Sequence, residues 1–312
     1  MSGPSIVTGH LASSRAQDGR FGGSTLSDYW ALTKPEVNFL ILITTAVGFY
    51  LGCGNEARNL SVISLFNTLF GTLLVASGTG TLNQYIERGF DAQMRRTVRR
   101  PAAAGRLKPQ AVLVFGITLA AVGSVYLSAT VNGLASALAI LTLLTYLFLY
   151  TPLKRETPLC VLVGAFPGAM PPLIGWAAAS GRLNSDAWTL YAILFLWQFP
   201  HFMAIAWMYR EDYDRAGYLV LPKGNAKVPF MTLETLLPLL ALVPISMVQS
   251  PTRHAAIFYC AGALLGFGFL YFGLEFILQR SRSAARRLLA ASIVYLPLLF
   301  ALRATLWNRV RI

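Results

Sequence analysis

The sequence predicts an all-α polytopic membrane protein that crosses the bilayer about nine times, with its N-terminus in the cytoplasm. Three observations carry this. Of 312 residues, 55% are hydrophobic and 12% charged, more apolar sequence than a soluble core can hide. The apolar residues fall into runs close to the roughly 20 residues that span a bilayer. The basic residues gather in alternate short connections, which also turns the net charge of +13 into a mark of membrane topology and excludes nucleic acid as the partner.

Residues 1–28 are rich in Ser, Gly and Ala and are expected to be a disordered tail without the apolar region of a secretory signal. Arg15 and Arg20 are offset by Asp18 and Asp28, which favours a bacterial protein over one with a mitochondrial presequence. Residues 29–312 hold no long linker or low-complexity tract and are read as one domain. The spans are expected near 37–54, 62–85, 110–129, 132–150, 158–179, 188–208, 229–249, 255–278 and 288–307. Little but Asn132 and Gly133 separates the third from the fourth, so these two should form an antiparallel hairpin. With the N-terminus inside, twenty Lys and Arg lie on the cytoplasmic side and five outside, counting Arg58, Arg182, Arg253, Arg309 and Arg311. That asymmetry sets the orientation. Arg303 falls within the last span. Cys53, Cys160 and Cys260 lack metal-ligand spacing and read as small hydrophobes.

The second span ends in a burst of charge. On a helix, Asn83, Glu87 and Asp91 step only about 40° around the axis and about 6 Å along it, forming one stripe of oxygen donors. Arg88, Arg95, Arg96, Arg99 and Arg100 follow closely. Carboxylates beside guanidinium groups suit Mg²⁺ bridged to a phosphate ester. A helix end with solvated charges is the plainer alternative, and it leaves the stripe unexplained. The connection after the sixth span, Tyr209 to Gly217, also concentrates acids (Glu211, Asp212, Asp214) with Arg210 and Arg215. A duplicated half-unit would place both clusters over one cavity; chance is the alternative.

Between spans four and five, Lys154 and Arg155 either clamp a diphosphate or mark an ordinary positive-inside turn. Trp197, Gln198, Pro200 and His201 interrupt the sixth span. A histidine there is a haem-iron ligand, a propionate partner or a hydrogen-bonded structural residue. Gly164 to Pro172, rich in small residues and prolines, should loosen the fifth span and shape a cavity wall. Glu234 and Glu275 receive no chemistry, with Arg303 as their only apparent partner.

Together these blocks resemble a known family. Asn83, Glu87, Asp91, Met94, Arg96, Thr97, Arg99, Arg100 and Pro101, then Gly105 and Arg106, look like the first aspartate-rich motif of the UbiA superfamily of intramembrane prenyltransferases. The extended form is similar to the haem-farnesylating branch. Leu32 to Pro35, Tyr150 to Arg155 with Pro171 to Trp176, and Trp197 to Phe202 with Asp212, Tyr213 and Gly217 match that branch in order. The resemblance spans about residues 28–310. Two departures stand out: Glu87 occupies a position usually Asp, and the second motif lacks the usual pair of aspartates four residues apart, which leaves a second Mg²⁺ open.

The resemblance implies helices around a lipid-open central cavity capped by polar loops, with farnesyl diphosphate and haem b as substrates and haem O as product, for haem-copper oxidase biogenesis. It implies Mg²⁺ on Asn83, Glu87 and Asp91, with Arg95 and Arg96 acting beside them. Arg99, Arg100, Lys154, Arg155, Arg210 and Asp212 would bind diphosphate, and His201, Trp197 and Gln198 would bind haem. Haem A synthase or oxidase assembly factors are the implied protein partners, and the cell inner membrane the location. Two rival readings are prenyl transfer to another aromatic acceptor, such as a hydroxybenzoate, and secondary transport.

Overall fold

The computed structural model describes residues 25–54, 61–248 and 255–306. Regular structure there is helical, and nine helical segments are long and apolar enough to cross a membrane. In order they are α2 (Pro35–Gly52), α3 (Val62–Asp91), α4 (Pro109–Thr130), the composite Gly133–Leu153, the broken pair α7 (Cys160–Gly168) and α8 (Pro171–Ser180), α9 (Ser185–Met208), α11 (Lys227–Met247), α12 (Ala255–Gln279) and α13 (Arg282–Thr305). Short helices α1 (Thr25–Leu32) and α10 (Arg210–Arg215) accompany them. Most of the expected tail, and Arg58, Arg253, Arg309 and Arg311, lie outside the described residues. The tail boundary moves, however: Thr25 to Asp28 already belong to α1, where Arg106 pairs with buried Asp28 at 2.9 Å.

The helix starts follow capping chemistry. Pro35, Pro109 and Pro171 occupy first-turn positions where no N–H is required. Ser61, Asn132, Asn184 and Ser281 each accept a backbone N–H three residues on. The expected hairpin forms between α4 and α5 (Gly133–Leu144), with Ser136 donating to the Ser124 carbonyl at 2.8 Å.

Small residues let the central helices approach closely. A Cβ at Gly175 of α8 would collide with the Thr45 carbonyl of α2, and one at Gly48 with the Pro172 carbonyl. The fifth span is accordingly the centre of the bundle and the most buried of the nine. It breaks between Gly168 and Pro171, as the small-residue and proline run predicts. The sixth does not break. α9 runs unbroken through Pro200, so no interruption appears there.

The fourth span changes its winding near its end. After α5 the chain forms a π-helical segment, Thr145–Tyr150, before the single turn α6 (Thr151–Leu153). Thr151 Oγ1 donates back to the Tyr146 carbonyl at 2.8 Å. Such wide turns recur at functional sites, and this one places Tyr146 and Tyr150 on a cavity wall.

Two of the remaining intramembrane charges find partners. Glu275 pairs with Arg287 at 2.6 Å. Arg303 caps α11 by donating to the Ser246 and Val248 carbonyls at 3.1 and 2.5 Å.

Candidate active site

α3 is 30 residues long, about 45 Å, against a hydrocarbon core of about 30 Å. Its last turns therefore project to the membrane surface, and they carry the stripe. Asn83, Glu87 and Asp91 are all buried and all line one cavity of about 460 Å³, within the range of small-molecule sites. Below them the walls are apolar, with Val37, Ile41, Val75, Ile174 and Ile205 among the lining residues.

Each member of the stripe is held by a different cation. Lys34 Nζ donates to Asn83 Oδ1 at 2.8 Å, and Lys154 Nζ donates to Glu87 Oε1 at 2.8 Å. Arg100 Nη1 spans both Asp91 oxygens at 3.0 and 2.8 Å. Three separate segments thus converge on one helix face. Lys34 reaches it from the α1–α2 junction in a left-handed conformation, φ 52°. Burial pulls the Lys34 ammonium down to about 7, reinforced by the Arg100 charge and opposed by Glu87. For Lys154 burial also disfavours the charge, but the Tyr150 oxygen and the Glu87 carboxylate outweigh it and hold the group well above its ordinary value. Its ammonium lies 4.5 Å from the Tyr150 ring centroid.

The donor set fits Mg²⁺. Two carboxylates and an amide oxygen face one polar recess, and each already attracts a cationic group. Among the described residues no three His, Cys, Asp or Glu gather closely enough to hold a metal alone. Oxygens of a phosphate ester would complete the shell, the usual arrangement for this ion.

The two charged connections meet. The Arg96 amide donates to Asp212 Oδ2 at 3.4 Å and its guanidinium to the Tyr213 hydroxyl at 3.2 Å. The Leu219 amide donates to the Lys154 carbonyl at 2.7 Å. Arg96, Arg100, Lys154 and Gln198 line the cavity with the stripe. Arg95, Arg99, Arg155, Arg210, Asp212, Trp197 and His201 do not. Arg95 and Arg99 are exposed. Arg155 stacks on Phe90, 4.3 Å from its centroid, and Arg210 donates to the Trp207 carbonyl at 2.8 Å.

His201 sits at the α9–α13 contact, stacked on Trp197 with centroids 4.6 Å apart. Its Nδ1 is 2.8 Å from Ser292 Oγ, and that hydroxyl gives its one proton to the Leu289 carbonyl at 2.6 Å. By this accounting Nδ1 carries the proton and Nε2 keeps a bare lone pair.

Sequence reasoning missed Lys34, Tyr146, Tyr213 and Tyr218 as lining residues. A lysine immediately before the Pro that opens a span was the available signal for the first; nothing along the chain links residue 34 to residue 83.

The UbiA prenyltransferase family matches residues 41–301. A protein from Solibacter usitatus named protoheme IX farnesyltransferase is 44% identical, covering 89% of this chain and 97% of its own. One of the same name from Koribacter versatilis is 41% identical, covering 89% and 92%. Among solved structures, a UbiA homologue from Archaeoglobus fulgidus bound to GPP and Mg²⁺ superposes with a TM-score of 0.63 at 13% identity, over 88% of this chain and 99% of its own. A structure described for digeranylgeranylglyceryl phosphate synthase gives 0.70 at 15%, over 90% and 98%. With a shared fold and a match across most of its length, the chain belongs to the UbiA prenyltransferase family.

Proposed function

We propose that this protein transfers the farnesyl group of farnesyl diphosphate to a vinyl group of haem b, making haem O. The observation that carries the chemistry is the stripe of Asn83, Glu87 and Asp91, ringed by Lys34, Arg100 and Lys154 at the mouth of an apolar cavity. The acceptor rests on the relatives named protoheme IX farnesyltransferase.

The diphosphate enters the charged mouth and its chain the apolar recess. The oxygens of Asn83, Glu87 and Asp91 would hold Mg²⁺, whose chemistry there is neutralising the departing diphosphate. Lys34, Arg96, Arg100 and Lys154 bind the phosphate oxygens and take up negative charge as the C1–O bond breaks with its electron pair on the leaving group. Apolar walls keep water from the allylic cation. The haem vinyl π electrons close the new C–C bond, and water adds to the resulting cation with loss of a proton.

His201, with Nε2 bare, is the proposed haem contact, with Trp197 stacked behind it and Gln198 on the cavity wall. Arg95, Arg99, Arg155, Arg210 and Asp212, outside the cavity lining, are proposed to draw in or support the diphosphate from the rim. The charged connections lie in the cytoplasm and the spans in the inner membrane of a bacterium. Haem A synthase or oxidase assembly factors are the proposed partners, open to co-purification from native membranes.

The test is expression in a host lacking haem O, with mass analysis of extracted haem. A hydroxyethylfarnesyl haem is expected. Haem b alone, beside pyrophosphate release with another aromatic acceptor, would overturn the acceptor. No pyrophosphate release under any condition would overturn the enzyme.

A further inference from the structure

Two neighbours decide what His201 can bind. Its Nδ1 lies 2.8 Å from Ser292 Oγ of α13, and that hydroxyl commits its own proton to the Leu289 carbonyl at 2.6 Å. Ser292 is fully buried. Trp197 Nε1 donates to the Ser292 backbone carbonyl at 2.8 Å, while its indole stacks on the imidazole. The histidine ring is thus held at one edge and on one face. With the proton on Nδ1, Nε2 is an acceptor only. That separates the two haem contacts open to a histidine. A propionate is itself an acceptor, and a bare nitrogen has no proton to give it. A metal is what the bare nitrogen of a neutral imidazole takes.

The position of His201 suits such a contact. Gln198, Phe202 and Ile205, at three before, one after and four after it on α9, line the cavity. His201, part-buried, therefore borders that wall on its α13 side. It comes seven residues before Met208, where α9 ends, so it lies about 10 Å below the charged connection that follows. An acceptor bound there would sit beneath the mouth that takes the diphosphate.

The group that accepts the Nδ1 proton also sets how firmly Nε2 binds. A histidine that donates to a carboxylate becomes a more basic ligand. Ser292 offers only a neutral hydroxyl whose proton is already in use, which is a weaker acceptor. We infer that His201 is an axial ligand to the iron of the haem substrate through Nε2, and that Ser292 positions it and keeps the bond weak enough for the product to leave. This rests on the reading that haem is the acceptor. A protein that retains its haem gains from a strong axial ligand. One that releases haem after every turnover is slowed by it.

The experiment uses the full chain in nanodiscs and titrates two porphyrins, haem b and iron-free protoporphyrin IX. They share the macrocycle and both propionates and differ in the metal. The wild type should bind haem b more tightly than the iron-free ring, with a shifted Soret band, and His201→Ala should lose both the preference and the shift. Ser292→Ala should weaken haem b about 10-fold and leave protoporphyrin IX unchanged. Ser292→Thr, which keeps the hydroxyl, should stay close to wild type. Ser292→Asp should tighten haem b alone and slow its release, lowering kcat and KM together. Equal affinity of the wild type for both porphyrins would overturn ligation in favour of a propionate or stacking contact. Equal shifts of both porphyrins in the Ser292 variants would reduce the serine to packing and overturn its positioning role. Should Ser292→Asp fail to fold by its elution profile, the alanine and threonine variants decide. Haem product mass keeps the two readings apart. A preference for haem b without prenylated haem sinks the acceptor and leaves the ligand; prenylated haem with no preference does the reverse, and a wild type that binds neither porphyrin sinks both.

Discussion

Two connections of similar composition have different work. After the second span, Glu87 and Asp91 are buried, line the cavity and are each gripped by a cation. After the sixth, Asp212 is buried but holds the Arg96 amide and Arg215, while Glu211 is 79% exposed. Just past that connection, the Leu219 amide also holds the Lys154 carbonyl. The same residue types therefore serve as ligands where their oxygens face the recess and as braces where they face a neighbouring loop. Composition sets neither role; direction does.

Mutations should widen that contrast. The largest effect is expected at Asp91→Asn, with turnover falling about 10³-fold, as when a preorganised charge-stabilising group is lost, while elution and thermal midpoint stay near wild type. Near-normal turnover at ordinary Mg²⁺ would remove the stripe from the chemistry. Lys154→Ala strands Glu87 without its counter-charge and should weaken farnesyl diphosphate binding roughly 10²-fold. If cysteine-accessibility mapping showed a changed orientation with affinity intact, the lysine would be a topology signal only.

The brace should respond differently. Asp212→Ala should destabilise by about 1–2 kcal/mol and lower turnover modestly, and Asp212→Asn should restore most of both, because an amide oxygen still accepts the Arg96 N–H. Failure of the asparagine to rescue would point to a metal at the second cluster. The smallest effect belongs to Glu211→Ala, within about 0.5 kcal/mol of wild type and with unchanged activity; a clear loss would erase the contrast between the two connections.

Periodicity made the spans and the stripe legible. Apolar runs, Pro at helix starts and the four-residue spacing of Asn83, Glu87 and Asp91 are properties of one helix at a time. What stayed hidden was pairing between elements. Lys34 meets Asn83 across 49 residues, and Lys154 meets Glu87 across 67. Arg303 looked like a partner for a carboxylate, yet it finds the open carbonyls at the end of α11, which carry no sequence mark. Pro200 predicted an interruption that the packed surroundings of α9 overrode. The same limit applied to Arg155 and Arg210, whose charge was visible while their aromatic neighbours were not.

The π-helical turn at Thr145–Tyr150 has a consequence for how this gene can vary. A wide turn is an α-helix with one residue too many, so the fourth span carries a stored insertion. Deleting one residue there would return the segment to regular winding and leave the turns on either side close to their present phase. A deletion elsewhere in the span would rotate everything after it by about 100°. Lys154 would then leave Glu87, and Thr151 would leave Asn83, which it now meets at 3.3 Å. The wide turn is therefore the stretch of the fourth span where length can change by one codon with the least displacement of Lys154.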